Sequence, residues 1–279
     1  MKWLAALALL ACWPASAQMW PSPGPGHAKY TEQAPGGGTD YSLALDGNEN
    51  GAMTTAATLG IGAAWSVSVW VRPTNLASAM YALNLQGATT ASRIQISVIG
   101  TSAFAPLRVY VQDTGATLKK DYRYSDTAAS WFTLDTWTHL VVTFDGSTLI
   151  TYFNGTAHAS NDKQGDDTIA TSTETRKIFI GSDANPANRW IGNIGPIAIW
   201  STVLGTDEVA VLYNAGKFGF NVASNSGSYT SSSTAVHWFN LCNVRTTITT
   251  ALQDSIGSLD PAGAQTGLVV GENCVEVAP

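Results

Sequence analysis

The residues able to do chemistry in this chain are few, and their spacing limits what they can do. Cleaving a glycosidic bond by a retaining route takes two carboxyls about 5–5.5 Å apart. Acids two or four positions apart on one face of a strand supply that separation. Here Glu32, Glu49, Glu174, Glu208, Glu272 and Glu276 are isolated, while Asp162, Asp166 and Asp167 gather beside Lys163 and Gly165 in what reads as a solvated polar loop. Serine chemistry would need a positioned histidine, yet no G-x-S-x-G elbow occurs and the four histidines are dispersed. His27 falls in a proline and glycine stretch, His158 follows a hairpin, and His237 lies on a strand near the C-terminus. His139 sits inside a strand phrase, where a structural role fits best. These patterns point away from an enzyme.

Binding fits the residues better. The loop S-D-A-N-P-A-N-R-W at 182–190 places Asp183, Asn185, Asn188, Arg189 and Trp190 together. Carboxylate, amides, guanidinium and indole are the groups that hold a sugar by its hydroxyls and its apolar ring face. The same loop also reads as an ordinary turn with Trp190 in the core. In D-Y-R-Y at 121–124, strand alternation puts Tyr122 and Tyr124 on one face as a second aromatic platform. Asp46, Asn48, Asp183 and Asn188 are oxygen donors that would suit Ca2+. They do not fix a metal site.

The elements that must position these groups are strands. W-T-H-L-V-V-T-F-D-G-S-T-L-I-T-Y-F-N-G at 137–155 is rich in β-branched and aromatic residues, and Asp145-Gly146 and Asn154-Gly155 supply positive-φ turn residues. It reads as two antiparallel strands and the start of a third. Asn154-Gly155-Thr156 also satisfies a glycosylation sequon, but the turn alone accounts for it. Further strands are predicted at 41–45, 65–73, 79–85, 93–99, 107–112, 120–125, 177–180, 190–200, 235–241 and 267–270, with a turn phrase at 252–257. Strict alternation puts Trp65, Val67 and Val69 on one face. Trp65, Trp70, Trp137, Trp200 and Trp238 lie in strand phrases and read as core. One short helix, 206–214, has Thr206 as its cap, acids in its first turn, and Ala215-Gly216 as its stop.

The phrases W-T-H-L-V-V-T-F-D-G and Y-F-N-G, W-S-V-S-V-W-V-R-P at 65–73, G-N-I-G-P-I-A-I-W at 192–200 and T-D-E-V-A-V-L-Y-N-A-G at 206–216 together resemble the laminin-G-like, concanavalin A-like jelly-roll domains. The resemblance covers about residues 40–272. It implies an all-β fold, a two-sheet antiparallel jelly-roll β-sandwich with one short helix, and a binding role. Ca2+ is held by many such domains; an acidic pair common in the strand before the helix is absent here, where Gly195-Pro196 stand. The implied partner is a glycan or surface protein. A structural or adhesion module, on a cell surface or in a phage particle, is the alternative. A degenerate lyase or hydrolase is a third.

Bulk composition narrows the field. Only 12% of the 279 residues are charged and the net charge is −6, which leaves nothing to neutralise nucleic-acid phosphates. Lys2, the apolar run 4–11, Pro14 and Ala15-Ser16-Ala17 form a signal peptide over 1–17, with Gln18 as the first mature residue. Leu9-Leu10-Ala11-Cys12 offers a lipid anchor through Cys12 as the alternative to secretion. A proline and glycine spacer spans 18–39, and the jelly roll spans 40–279, with the 229–279 tail contributing closing strands. No later segment is long and apolar enough to span a membrane. Outside the leader, Cys242 and Cys274 make an even pair, which in an exported protein suggests a disulfide.

Overall fold

The computed structural model describes residues 41–48, 51–54, 56–87, 92–99, 107–113, 115, 117, 119–124, 131–160, 162–166, 175–183, 188–216, 220–242, 252–257, 259 and 274–276. Its strands are β1 (Tyr41–Asp46), β2 (Ala52–Met53), β3 (Ala57–Thr58), β4 (Trp65–Pro73), β5 (Ala79–Gly87), β6 (Arg93–Ile99), β7 (Leu107–Gln112), β8 (Lys119–Tyr124), β9 (Thr138–Phe144), β10 (Leu149–Phe153), β11 (Thr156–His158), β12 (Asp162–Asp166), β13 (Thr175–Ile180), β14 (Ile191–Trp200), β15 (Ala235–Phe239) and β16 (Cys274–Glu276). They form two antiparallel sheets. The first runs β11-β10-β9-β4-β14-β1-β16, with β15 also on β14; the second runs β12-β8-β7-β6-β5-β13-β2, with β3 also on β13. This is the jelly-roll sandwich that the resemblance implies.

Turn chemistry sets the hairpins. Asn154 and Gly155 adopt φ of 48° and 80°, the mirror-image turn that matches strand twist. At the other turn only Gly146 is left-handed; Asp145 instead accepts hydrogen bonds from the Ser147 and Thr148 amides at 2.8 and 2.6 Å. Strand β14 serves two neighbours along one edge. Its first half pairs with β1 and its second half with β15, and pairing with β4 is interrupted between Ile194 and Ile197. Pro196, which has no N–H to donate, occupies that interruption.

Two apolar layers result. The main core lies between the sheets and includes Trp65, Val67, Val69, Val71, Ile94, Ile96, Val109, Val142 and Ile199. A second core lies on the far side of the first sheet, where Val141, Ala198 and Trp200 meet Leu204, Val209, Leu212 and Tyr229. Strand β4 is therefore buried along nearly its whole length. Helix α1 (Thr206–Asn214) covers that second core. Its cap is Gly205, not Thr206: the Glu208 carboxylate reaches back to the Gly205 amide at 3.0 Å, and that contact sets the start of the helix. Trp200 Nε1 donates to the Tyr229 hydroxyl at 2.9 Å, which donates to Val222 O at 2.7 Å.

The C-terminal segment closes the first sheet through β15 on β14 and β16 on β1. Cys242 and Cys274 form a disulfide. Two expectations change, and a third is not tested. Residues 162–166 form an edge strand on β8 rather than a loop, because Asp162 and Lys163 continue the ladder opposite Arg123 and Tyr122. Trp137 and Trp238 are only partly buried, and Trp238 flanks the second core rather than filling it. The strand predicted at 267–270 lies outside the described residues, as does Asp167.

Candidate functional site

The register of the second sheet sorts its side chains into an inner face that is apolar apart from Lys120 at its edge and a polar outer face. Inward rows run Lys120–Val111–Ile94–Leu85–Ile178 and Tyr122–Val109–Ile96–Leu83–Ile180. Alternation then assigns the outer face three rows. They are Lys119–Gln112–Arg93–Gln86–Lys177, Asp121–Tyr110–Gln95–Asn84–Phe179 and Arg123–Arg108–Ser97–Tyr81. The step in register between Tyr81 and Leu83 inserts Ala82 as a bulge, which lets Tyr81 and Asn84 share the outer face despite odd spacing.

The floor of this face is deep and its edges are open. Asn84 and Gln95 are each 1% exposed, and Tyr110 and Ser97 are also buried. Arg93, Arg108, Arg123 and Tyr81 are half-buried, and Lys119 and Lys177 are exposed. Asn84 Nδ2 donates to Gln86 Oε1 at 3.3 Å. Asn84 Oδ1, Gln95 Nε2 and Arg93 Nε are buried without a hydrogen-bond partner. An orphaned buried amide atom costs about 1–3 kcal/mol, so one on each of two residues paired across β5 and β6 is a cost that core packing does not explain.

Charge on this face is fixed by one carboxylate and an aromatic ring. Arg108 meets Asp121 with two bonds of 2.7 Å, and Arg123 adds two of 3.2 and 3.0 Å to the same carboxylate. Burial works to raise the Asp121 carboxyl, but the hydrogen bonds and charge of Arg108 and Arg123 outweigh it and hold it below the ordinary value. Burial likewise works against the Arg108 charge, and Asp121 overcomes it, leaving the guanidinium more basic than usual. The Arg93 and Arg108 guanidiniums lie 4.8 and 4.6 Å from the centre of the Tyr110 ring, in cation–π reach.

Other polar pairs are structural. His139 Nε2 lies 2.8 Å from Ser68 Oγ, and its ring stacks 4.6 Å from Trp70. Burial pushes His139 down to about 3, too weak a base to activate that hydroxyl near neutral pH. The neighbouring cavity, lined by Ser68, Trp70, His139 and Trp200, measures about 30 Å3 and fits roughly one water. His237 Nδ1 lies 2.6 Å from Asp254 Oδ2 and its Nε2 faces Leu59 O at 3.1 Å, so both ring nitrogens are engaged. Asp254 also accepts the Trp238 and Gly257 amides; burial acts to raise it, and these partners hold it low. A side chain at Gly257 would collide with this pair. His158 packs edge-on against Trp131.

The residues expected to bind fare differently. Trp190, Tyr122 and Tyr124 are buried in the main core, at 0%, 4% and 0% exposure, and offer no open ring face. Trp190 turns inward because its amide binds Gly181 O at 2.8 Å where the loop meets β14. The two tyrosines do share a face, and it is the inner one. Asp183, Asn188 and Arg189 remain half-buried, and Asn185 lies outside the described residues. Asn188 joins the outer face: its carbonyl accepts the Tyr81 amide at 3.1 Å and its Nδ2 lies 3.4 Å from the Tyr81 hydroxyl. Arg189 donates to Gly47 O and Asn48 O at 3.2 and 2.8 Å. Asp46 is turned to the Asn48 amide and side chain. Among the described residues no three His, Cys, Asp or Glu side chains gather as a metal group, and no helix is long and apolar enough to cross a membrane.

The polar outer face was hidden in the sequence because its members come from five separate strands. Alternation in R-I-Q-I-S-V and L-R-V-Y-V-Q could have flagged Arg93, Gln95, Ser97, Arg108 and Tyr110 as one side of two strands.

A family model described as "Concanavalin A-like lectin/glucanases superfamily" matches residues 46–210. No curated protein matches the sequence. Among solved structures, a "putative carbohydrate binding protein" from Bacteroides ovatus shares the fold at TM-score 0.51 and 13% identity, over 80% of this chain and 57% of that one. Domain 4 of an extracellular arabinanase from Geobacillus stearothermophilus, solved with arabinotriose, matches at TM-score 0.48 and 20% identity, over 64% of this chain and 82% of that one. A heptameric pentraxin from Limulus polyphemus matches at TM-score 0.49 and 13% identity, over 82% and 98%. At 13% identity the Bacteroides ovatus structure, with a TM-score above 0.5, speaks for the fold alone. The matched span covers more than half of the sequence, and the chain belongs to the concanavalin A-like lectin/glucanase superfamily.

Proposed function

We propose that this protein is an exported, non-catalytic module that binds carbohydrate on the outer face of its second sheet. The observation that carries the reading is the pair of buried, unpartnered amide atoms, Asn84 Oδ1 and Gln95 Nε2, in the middle of that face. One lacks a donor and the other an acceptor. A sugar hydroxyl is both at once, so neighbouring hydroxyls on a ring satisfy the two together. Tyr81, half-buried at the edge, offers an aromatic surface for a ring face. Five strands from β13 to β8 at about 4.8 Å spacing span roughly 19 Å, room for several sugar units. The description of the Bacteroides ovatus protein points the same way.

The non-catalytic reading is supported by His139, too weak a base when burial pushes it down to about 3, and by Asp121 and Asp254, which are held ionised, and so are poor proton donors, with their oxygens already engaged by fixed partners. Export rests on the leader at 1–17, and the Cys242–Cys274 disulfide suits an oxidising compartment. Affinity electrophoresis of the mature chain in a series of polysaccharide gels tests the binding. Retardation in at least one gel, lost in Gln95→Leu, is the expected result; free migration in all of them refutes it. N-terminal sequencing tests export, with Gln18 first expected and Met1 retained as the contrary outcome.

A further inference from the structure

We propose that the same outer face selects acidic saccharides, and that its ligand carries a carboxylate, as a uronate polymer does. This rests on the carbohydrate reading above. The chain bears a net charge of −6, with 14 lysines and arginines in all. Five of them, Arg93, Arg108, Arg123, Lys119 and Lys177, fall in the three outer rows of one sheet. Within those rows they meet one acid, Asp121, and Asp162 stands opposite Arg123 on the edge strand. A negatively charged protein thus presents one locally positive face, which attracts an anionic polymer at the place where the buried amides wait.

The geometry favours a planar anion over mere charge. Asp121 takes Nε and Nη2 of both Arg108 and Arg123, so each guanidinium keeps Nη1 directed away from that carboxylate. One carboxylate between two guanidiniums leaves the triad with a net positive charge. Arg93 lies 4.8 Å from the centre of the Tyr110 ring, its row holds no acid, and its buried Nε has no hydrogen-bond partner. Guanidiniums already oriented by a ring and a carboxylate lose little freedom on binding a second carboxylate, and their flat forks match its two oxygens.

The test uses the full mature chain with polygalacturonate and alginate, each beside its carboxyl-reduced form, and with dextran sulfate. Binding to at least one uronate polymer at least tenfold tighter than to its carboxyl-reduced form is expected, weakening as salt rises. Arg93→Gln should cut the preference to within about twofold. Arg108→Lys should lose the preference while keeping the salt dependence, because the charge stays and the fork goes. Arg72→Gln, which removes a charge from the other sheet, should leave the preference unchanged; thermal melts confirm that each variant folds. Equal binding of the acidic and reduced forms overturns the acid selectivity and leaves the carbohydrate reading standing. Dextran sulfate bound as tightly as the uronate polymer overturns the carboxylate assignment. Binding to none of these polymers overturns the selectivity, and the wider polysaccharide series then decides the carbohydrate reading separately.

Discussion

Gln95 and His139 show how differently burial acts on two polar side chains. Gln95 keeps an amide nitrogen without an acceptor. Replacing such a group by a similar apolar one removes a desolvation cost, so Gln95→Leu is expected to leave the melting temperature unchanged or slightly higher while weakening carbohydrate binding at least tenfold. A variant that lost binding and melted early would make Gln95 structural. His139 is pushed down to about 3 in the folded chain, against an ordinary value near 6.5. Between about pH 6.5 and 3 the unfolded chain takes up a proton that the folded chain refuses, so stability is full above that window and declines as pH falls through it, by up to about 1.4 kcal/mol per pH unit. Asp121 and Asp254, both held low, add to the decline below about pH 4. Urea midpoints measured from pH 7 to 4 check the slope; in His139→Gln the decline above pH 5 should flatten, by about the same 1.4 kcal/mol per unit.

At the scale of elements, helix α1 depends on one carboxylate. Glu208 binds the Gly205 amide with one oxygen and the Thr230 amide and hydroxyl with the other, at 3.0, 3.0 and 3.3 Å. Burial acts to raise Glu208, and these donors hold it below its ordinary value. Glu208→Ala should lower stability by about 1 kcal/mol, the usual worth of a helix cap, and hydrogen exchange should quicken at Gly205 and Thr230 ahead of the sheets. An unchanged exchange rate at both amides would mean that packing of Val209 and Leu212 alone holds the helix. The hairpin 138–153 and the helix were readable because turn residues and apolar period are local signals. Thr206 misled because Ser and Thr favour caps, yet the winning contact came from Glu208, one turn ahead. The edge strand at 162–166 was missed because its polar residues pair only once β8 is beside them.

Across the whole molecule, the C-terminal segment is bound to the first sheet by few backbone pairs and by one covalent link. Cys242 and Cys274 are separated by 32 positions, and a loop of that length is worth roughly 3–4 kcal/mol in the chain-entropy account. Reduction should lower the melting temperature by several degrees and expose β16 and β1 to hydrogen exchange first; a melt unaffected by reductant would place the tail's stability in packing alone. The sequence by itself determined the sandwich, the helix and the pairing of the cysteines as the even pair, because alternation, turn residues and composition act over a few positions. It also named Asn188 and Arg189 without their partners. Only the tertiary structure decided that Tyr122, Tyr124 and Trp190 face inward and that Asn84, Gln95, Arg93 and Arg108 share an outward surface. Period-two alternation states that two sides exist; which side is buried is settled by packing against the first sheet, and by the register that brings neighbouring strands level.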